Sequence, residues 1–284
     1  MESLTKYNYV AAGVHLAAAV ATAQLLQSPT IRKVQMNEGT YDKDGDTRGS
    51  RVDIPVKLKE SRRVDLKPIV VAFFAITSVA HFIYATDFFG KGWYSTHIIN
   101  FGWNPYRWVE YSITASLMIY LISAVSGTKD DVSAISNALI TPGLMLSGFT
   151  TERALKQNAL HDWSLSPSLA KPAIDAPIVL SNVFPAWILY GVHWYIILSN
   201  YSRLAKDARE QGQPLDKSVS FMVYSQLVFF SLFGIIQSYQ VYRWISSREG
   251  RTEPSFAQYE KSYIVLSAVA KLALGGTVLY ALRD

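Results

Sequence analysis

The last apolar stretch of the chain carries a lysine near its centre. Residues 262–282 read SYIVLSAVAKLALGGTVLYAL, in which Lys271 is the one charged residue. About 20 predominantly apolar residues are enough to cross the hydrocarbon core of a bilayer. A lysine at that depth costs about 2.5–3.5 kcal/mol on insertion scales, so it indicates function by default. Such an amine can snorkel, pair with a carboxylate, or form a Schiff base with a carbonyl compound.

The composition predicts an integral membrane protein with a single domain, residues 1–284. Half of the 284 residues are hydrophobic and 17% are charged, and there is no cysteine for disulfides or thiolate metal sites. The net charge of +5 comes from basic residues in the segments between apolar runs. This is the distribution expected beside lipid headgroups. We therefore expect a lipid bilayer around the chain and no nucleic-acid partner.

Seven apolar segments are long enough to be membrane-spanning helices. They cover residues of about 7–27, 68–89, 104–126, 131–152, 177–201, 218–245 and 255–282. The fourth segment is the weakest candidate, since it is rich in Ser, Thr and Gly and contains Pro142. Such residues are tolerated where neighbouring helices satisfy the backbone. The predicted fold is an all-α membrane protein, a seven-transmembrane-helix bundle.

The connection between the first two spans, residues 28–66, differs in pattern from the rest. Apolar and charged residues alternate on both sides of a DKDGDTRG centre, which predicts a β-hairpin outside the membrane. Asp42, Asp44 and Asp46 have the opening spacing of a calcium loop. However, Thr47 stands where that loop needs Gly and Asp53 where it needs Glu, so we expect an ordinary solvated turn.

The third span supplies the charges that could neutralise Lys271. It begins with NPYRWVEYS, so that Arg107 precedes Glu110 by three residues, about one helical turn. If the third and seventh helices touch, Arg107, Glu110 and Lys271 form a charge set that can be satisfied in low dielectric. An ion pair of Arg107 with Glu110 at the start of the helix is the alternative. Ser267, four residues before Lys271, lies on the same helical face.

His15 and His81 fall inside the first two spans, where they extend this network or serve only as packed core residues. Tyr111 and Ser267 likewise can be ordinary helix-packing residues. Gln237 of the sixth span is a hydrogen-bonding node or faces another helix. The fifth and sixth spans carry aromatic residues that could wall an elongated ligand or face lipid: Phe184, Trp187, Tyr190, Phe229, Phe230 and Phe233.

This pattern resembles the microbial-type retinal-binding rhodopsins, and within them the heliorhodopsins. The resemblance rests on the run RWVEYS from Arg107 to Ser112, the spacing from Ser267 to Lys271, the two intramembrane histidines and the long first loop. It implies all-trans retinal as the cofactor, on Lys271, with Glu110 as counterion. It also implies a homodimer with a cytoplasmic N-terminus. The charge distribution itself leaves the orientation open, because the answer reverses when the first loop is omitted from the count.

The pattern disfavours ion pumping and catalysis. Outward proton pumping needs further carboxylates, four residues before the lysine and deeper in the third helix, where this chain has Ser267, Leu117 and Leu121. The charge of Glu110 occupies the place of a pumped halide, and a lysine-based enzyme would need a second acid or base beside Lys271. We expect Glu152 at the membrane interface.

The resulting expectation is a photoreceptor without net pumping that signals to an unknown partner. The alternative is a light-gated or light-driven proton or ion transporter or channel.

Overall fold

A computed structural model describes residues 2–26, 31–39, 56–128, 131–164, 176–212, 214–247 and 256–281. Within these ranges the chain forms seven α-helices. They are α1 (Glu2–Leu25), α2 (Lys67–Ala85), α3 (Pro105–Val125), α4 (Asp131–Ser164), α5 (Ala176–Glu210), α6 (Lys217–Ser247) and α7 (Phe256–Ala281).

Two strands lie between α1 and α2. Strand β1 (Ile31–Gly39) pairs antiparallel with β2 (Val56–Asp65), from Ile31 opposite Asp65 to Gly39 opposite Val56. The register is irregular between Val34 and Gln35. The predicted turn and the aspartates of the calcium-loop pattern lie outside the described residues. The position of the strands relative to the membrane stays a prediction.

Five of the described helices are long and apolar enough to cross a membrane. They are α2, α3, α4 as far as Leu155, α6 as far as Arg243, and α7 as far as Tyr280. The predicted class, a helical and multi-pass integral membrane protein, is thereby confirmed. That α1 and α5 also cross stays a prediction.

Several helix ends differ from the sequence prediction. Helix α1 begins at Glu2 rather than near residue 7, and α5 ends at Glu210 rather than near residue 201. Helix α2 ends at Ala85 rather than near residue 89, because Asp87 adopts a left-handed φ of 51°. The Asp87 carboxylate accepts hydrogen bonds from the backbone N–H groups of Gly92 (2.9 Å) and Tyr94 (2.8 Å) and so fixes a turn. A single-turn π-helix, Ser95–Ile99, follows this turn and was not predicted. Helix α4 continues to Ser164, well beyond the predicted end at residue 152.

The helices pack as a closed ring. Each helix contacts the next along the chain, and α7 contacts α1. Among the described side chains, α3 contributes more buried positions than any other helix. Its core residues include Met118, Ile119, Leu121 and Ile122. This arrangement brings the start of α3 against α7 and sets the depth at which their charged residues meet.

Candidate functional site

Lys271 and Glu110 form a buried ion pair between α7 and α3. The Lys271 Nζ atom lies 3.0 Å from the Glu110 Oε1 atom, and the two side chains are 3% and 9% exposed. Nζ also donates to the Ser267 Oγ atom at 3.0 Å, one turn earlier on the same face of α7. The amine therefore has two fixed acceptors in a site closed to bulk water, which is where a buried charge needs them.

Two threonines complete the surroundings of the Glu110 carboxylate. The Thr77 hydroxyl of α2 donates to Oε1 at 2.5 Å, and the Thr114 hydroxyl, one turn along α3, donates to the same oxygen at 2.9 Å. Together with Lys271, three donors from three helices converge on one oxygen atom. Hydrogen bonds to an ionised group are stronger than neutral ones, so this arrangement stabilises the carboxylate in its charged form.

A largely apolar cavity opens beside Lys271. Seven residues proposed from sequence line it together with the lysine: Ser267, Tyr111, Trp187, Tyr190, Phe230, Phe233 and Gln237. Its aromatic walls are Trp108, Tyr111, Trp187, Tyr190, Phe230, Phe233 and Tyr263. Gln237 donates to the backbone carbonyl of Gly148 at 2.9 Å and so joins α6 to α4. Of the other aromatic residues named from sequence, Phe184 is 68% exposed.

Two glycines allow these walls to close. A Cβ atom at Gly148 of α4 would collide with the ring of Trp108. A Cβ atom at Gly234 of α6 would lie 3.0 Å from the ring of Trp187, tighter than ordinary contact. The absence of a side chain at each position lets an indole ring lie against the neighbouring helix, which shapes the cavity.

The two histidines lie together but do not line this cavity. Their rings stack with centroids 5.7 Å apart and planes 18° apart. His81 lies one turn after Thr77 on α2, and the Thr77 hydroxyl contacts Glu110. The His81 Nδ1 atom lies 2.8 Å from the Asn8 side-chain oxygen, and the His15 Nδ1 atom lies 2.6 Å from the Ala11 carbonyl. They form a second polar layer next to the ion pair.

Arg107 does not join the Lys271–Glu110 pair, and the prediction of one charge set is wrong. Its guanidinium forms ion pairs with Glu152 of α4 and Glu260 of α7 instead. Glu152, which we expected at the interface, is 1% exposed. Residues one turn apart share a face of α3, which is why the prediction placed Arg107 beside Glu110. The Arg107 side chain is long, however, and it extends to carboxylates on α4 and α7.

The two carboxylates on Arg107 are each held by further donors. The Trp108 Nε1 atom donates to Glu152 at 2.8 Å, and the Asn104 Nδ2 atom donates to Glu260 at 2.7 Å. The Tyr94 hydroxyl also donates to Glu260, at 3.2 Å. This Arg107 cluster therefore joins α3, α4, α7 and the α2–α3 connection in one buried network.

The comparison with known families decides what kind of protein this is. A family model described as Heliorhodopsin matches residues 4–168, more than half of the chain. The chain belongs to the heliorhodopsin family. No curated protein matches the chain significantly. The matched range contains Glu110 and both histidines, whereas Lys271 lies outside it, so the structure is what places the lysine of this heliorhodopsin against the matched part of the chain.

Heliorhodopsins are a family of light-sensing, retinal-binding membrane proteins and not a classical enzyme family. Membership therefore indicates the general class of this protein. The residues present fit a retinal. The cavity is walled by apolar and aromatic side chains, as a polyene requires, and the amine of Lys271 lies on its wall. Gly148 and Gly234 allow the indole rings of the cavity wall to pack closely against α4 and α6.

Several residues of these networks were not predicted from the sequence. Glu260 precedes Lys271 by eleven residues, three turns of α7, and this spacing would have indicated a shared face. Thr77 precedes His81 by one turn of α2, a spacing that also indicates a shared face. Asn104 stands directly before Pro105 as the N-cap of α3, a pattern that the sequence shows. Its contact with Glu260 and the role of Asn8 depend on other helices and give no such signal.

Proposed function

We propose that this heliorhodopsin is a photoreceptor in which Lys271 holds all-trans retinal as a protonated Schiff base and Glu110 is its counterion. The observation that supports this most directly is the buried contact of 3.0 Å between the Lys271 Nζ and Glu110 Oε1 atoms on the wall of an aromatic cavity. When bound, the retinal supplies the absorption of visible light and the change of shape that follows it. All other steps belong to side chains of the protein.

The cavity residues bind and orient. Trp187 and Phe230 wall the cavity, and Gln237 fixes α6 to α4. The Tyr111 ring lies 5.0 Å from the Lys271 Nζ atom, close enough for a cation–π attraction to a positive charge there. These contacts exclude water from Nζ and keep its direction defined.

The ion pair governs a proton held on the Nζ atom of Lys271. At rest the carboxylate of Glu110 and the hydroxyl of Ser267 stabilise it. Illumination turns Nζ away from these acceptors, and the proton moves to the histidine layer, where His15 and His81 can accept it. It then returns to Nζ.

Net pumping is not part of the proposal. After Glu110, the buried residues of α3 carry no carboxylate, and Met118, Ile119, Leu121 and Ile122 form an apolar core. A proton relay through the bilayer needs groups that hold protons at successive depths. Without them the proton goes out and back along the same route.

The signal is a change in helix packing. Lys271 and Glu260 lie three turns apart on α7, and Glu260 is bound to Arg107 of α3. A displacement of α7 at Lys271 therefore acts on the Arg107 cluster, a packed element whose arrangement a protein partner can read. The partner is unknown.

The family resemblance extends this proposal to the assembly. We infer a single domain over residues 1–284 in which all seven helices cross the membrane. The hairpin lies outside the membrane, the N-terminus is cytoplasmic, and two copies form a homodimer.

The experiment is an absorption spectrum of the purified protein with all-trans retinal, combined with light-induced pH changes in cells. A visible band that disappears in Lys271→Ala, with no light-induced pH change, is the expected result. The matched control is Lys261→Ala, an exposed lysine on the same helix, which should keep the band. A band lost equally in both variants, or a pH change abolished by a protonophore, contradicts the proposal.

A further inference from the structure

Asn8 of α1 is a fully buried amide that contacts one of the two histidines. Its Nδ2 atom donates to the backbone carbonyl of Leu4 at 3.2 Å. Its Oδ1 atom lies 2.8 Å from the Nδ1 atom of His81 on α2. Both ends of the amide are thus used, one within α1 and one across to α2, and the amide also forms a hydrogen bond with Tyr94 of the α2–α3 connection.

The carbonyl of Leu4 fixes which end faces the histidine. A backbone carbonyl can only accept a hydrogen bond, so the nitrogen of the Asn8 amide must face it and the oxygen must face His81. An amide oxygen also only accepts, so the hydrogen in this contact belongs to the His81 Nδ1 atom. In a neutral imidazole the other nitrogen, Nε2, then has a lone pair and can accept a proton.

His15 is fixed in the same tautomer by a different group. Its Nδ1 atom lies 2.6 Å from the Ala11 carbonyl, so Nδ1 carries the hydrogen. Its Nε2 atom is buried and has no hydrogen-bond partner among the described residues. The two stacked histidines therefore both have a basic Nε2 atom. The Ala11 carbonyl fixes this tautomer in His15, and the Asn8 side chain fixes it in His81.

We propose that Asn8 is a positioning residue that holds His81 as the Nδ1–H tautomer and so keeps its Nε2 atom ready to accept the proton released from Lys271. The role in proton transfer rests on the proposed function, whereas the tautomer does not. In the transfer, the N–H bond at Lys271 Nζ breaks and an N–H bond at His81 Nε2 forms. The Nδ1–H group keeps its contact with Asn8, which is stronger once the ring is charged.

The first test reads the tautomer directly. Nitrogen NMR of the protein labelled with ¹⁵N-histidine, in bilayers and without retinal, should show His81 with a protonated Nδ1 and an unprotonated Nε2 atom. In Asn8→Leu the acceptor is lost, and a signal for protonated Nε2 should appear. His81→Asn assigns the signal. Unchanged His81 signals in Asn8→Leu overturn the proposal.

Two further variants separate this role from a general effect on folding. A protonated aspartate in Asn8→Asp can donate to Leu4 and accept from His81, so it should retain the original tautomer. Asn137→Leu removes the equivalent contact of 2.8 Å to His193 on α5. It should alter the His193 signals and leave those of His81 unchanged. Loss of the His81 tautomer in Asn137→Leu contradicts a specific role for Asn8.

The second test follows the proton in the protein with all-trans retinal. The transient near-ultraviolet absorbance after a flash reports loss of the proton from Lys271 Nζ. Because His15 offers a second acceptor, the variants are compared in a His15→Phe background, in which His81 is the remaining histidine of the pair. A hydrogen bond to a charged group changes an equilibrium about tenfold or more, so Asn8→Leu should reduce this transient about tenfold there. Asn8→Asp and Asn137→Leu should retain it. A full transient in an Asn8→Leu protein with altered His81 signals contradicts the role in proton transfer, and a wild-type protein without a visible band contradicts the proposed function alone.

Discussion

At the scale of single residues, the Glu110 carboxylate accepts several hydrogen bonds at once beside Lys271. One of its oxygens accepts from Lys271, Thr77 and Thr114 at once. Its negative charge is therefore held close to Nζ and cannot turn away without breaking three contacts. In the proposed photoreceptor this fixed charge sets both the colour and the rest position of the proton.

We predict that Glu110→Gln shifts the visible band to longer wavelength, because a nearby carboxylate localises the positive charge on Nζ and its removal lets the charge spread. The measurement is the absorption spectrum of the purified pigment. Glu210→Gln, which alters an exposed carboxylate on α5, is the control and should leave the band in place. An unshifted band in Glu110→Gln would show that Glu110 is not the counterion.

The pairing of Lys271 with Glu110 and Ser267 could be predicted because a buried amine needs acceptors and helical spacing offers few. Arg107 could not be placed the same way. Spacing along α3 puts it on nearly the same face as Glu110, yet its partners depend on where α4 and α7 carry Glu152 and Glu260. A single sequence does not reveal whether carboxylates on different helices lie at the same depth in the bundle.

At the scale of elements, the Arg107 cluster is a buried polar connection between α3, α4 and α7. We predict that Arg107→Met destabilises the protein by about 3–5 kcal/mol, since it leaves two buried carboxylates without their cation. Thermal unfolding in detergent micelles measures this. Arg203→Met, at an exposed arginine of α5, should have little effect. If Arg107→Met unfolds at the wild-type temperature, the cluster does not hold the helices together.

Helix α4 packs closely against the Trp108 ring at Gly148. We predict that Gly148→Ala lowers the yield of pigment with retinal, because the added methyl group pushes the Trp108 ring, which lines the cavity. Gly143→Ala on the same helix is the matched control, since its Cβ atom would make an ordinary contact of 3.6 Å with Leu189. Equal yields in the two variants would contradict this account of the cavity wall.

Most helix ends were predicted to within about five residues, because long apolar runs leave little choice. The exceptions are the C-terminal ends of α4 and α5, at Ser164 and Glu210, which lie well beyond the predicted residues 152 and 201. The differences have local causes. Asp87 binds two backbone N–H groups and ends α2 early, although the aromatic residues after it continue the apolar run. The polar part of α4 after residue 152 gives no apolar signal, and its helical structure was therefore missed.

At the scale of the whole molecule, the seven described helices close a ring around the Lys271–Glu110 pair, the Arg107 cluster, the aromatic cavity and the histidine layer. The apolar core of α3 beyond Glu110 separates these from the other end of the bundle. We predict no steady photocurrent under voltage clamp, since the displaced proton has no onward acceptor on α3. A sustained current under illumination would favour a transporter or channel instead.

The proposed photoreceptor depends above all on Lys271 as the attachment site of the retinal, which reductive trapping identifies. The illuminated or dark pigment is reduced with borohydride, which converts a Schiff base to a stable amine, and its peptides are examined by mass spectrometry. We expect a retinyl group on the peptide that contains Lys271, with Lys261 unmodified. A retinyl group on another lysine, or on none, would contradict it.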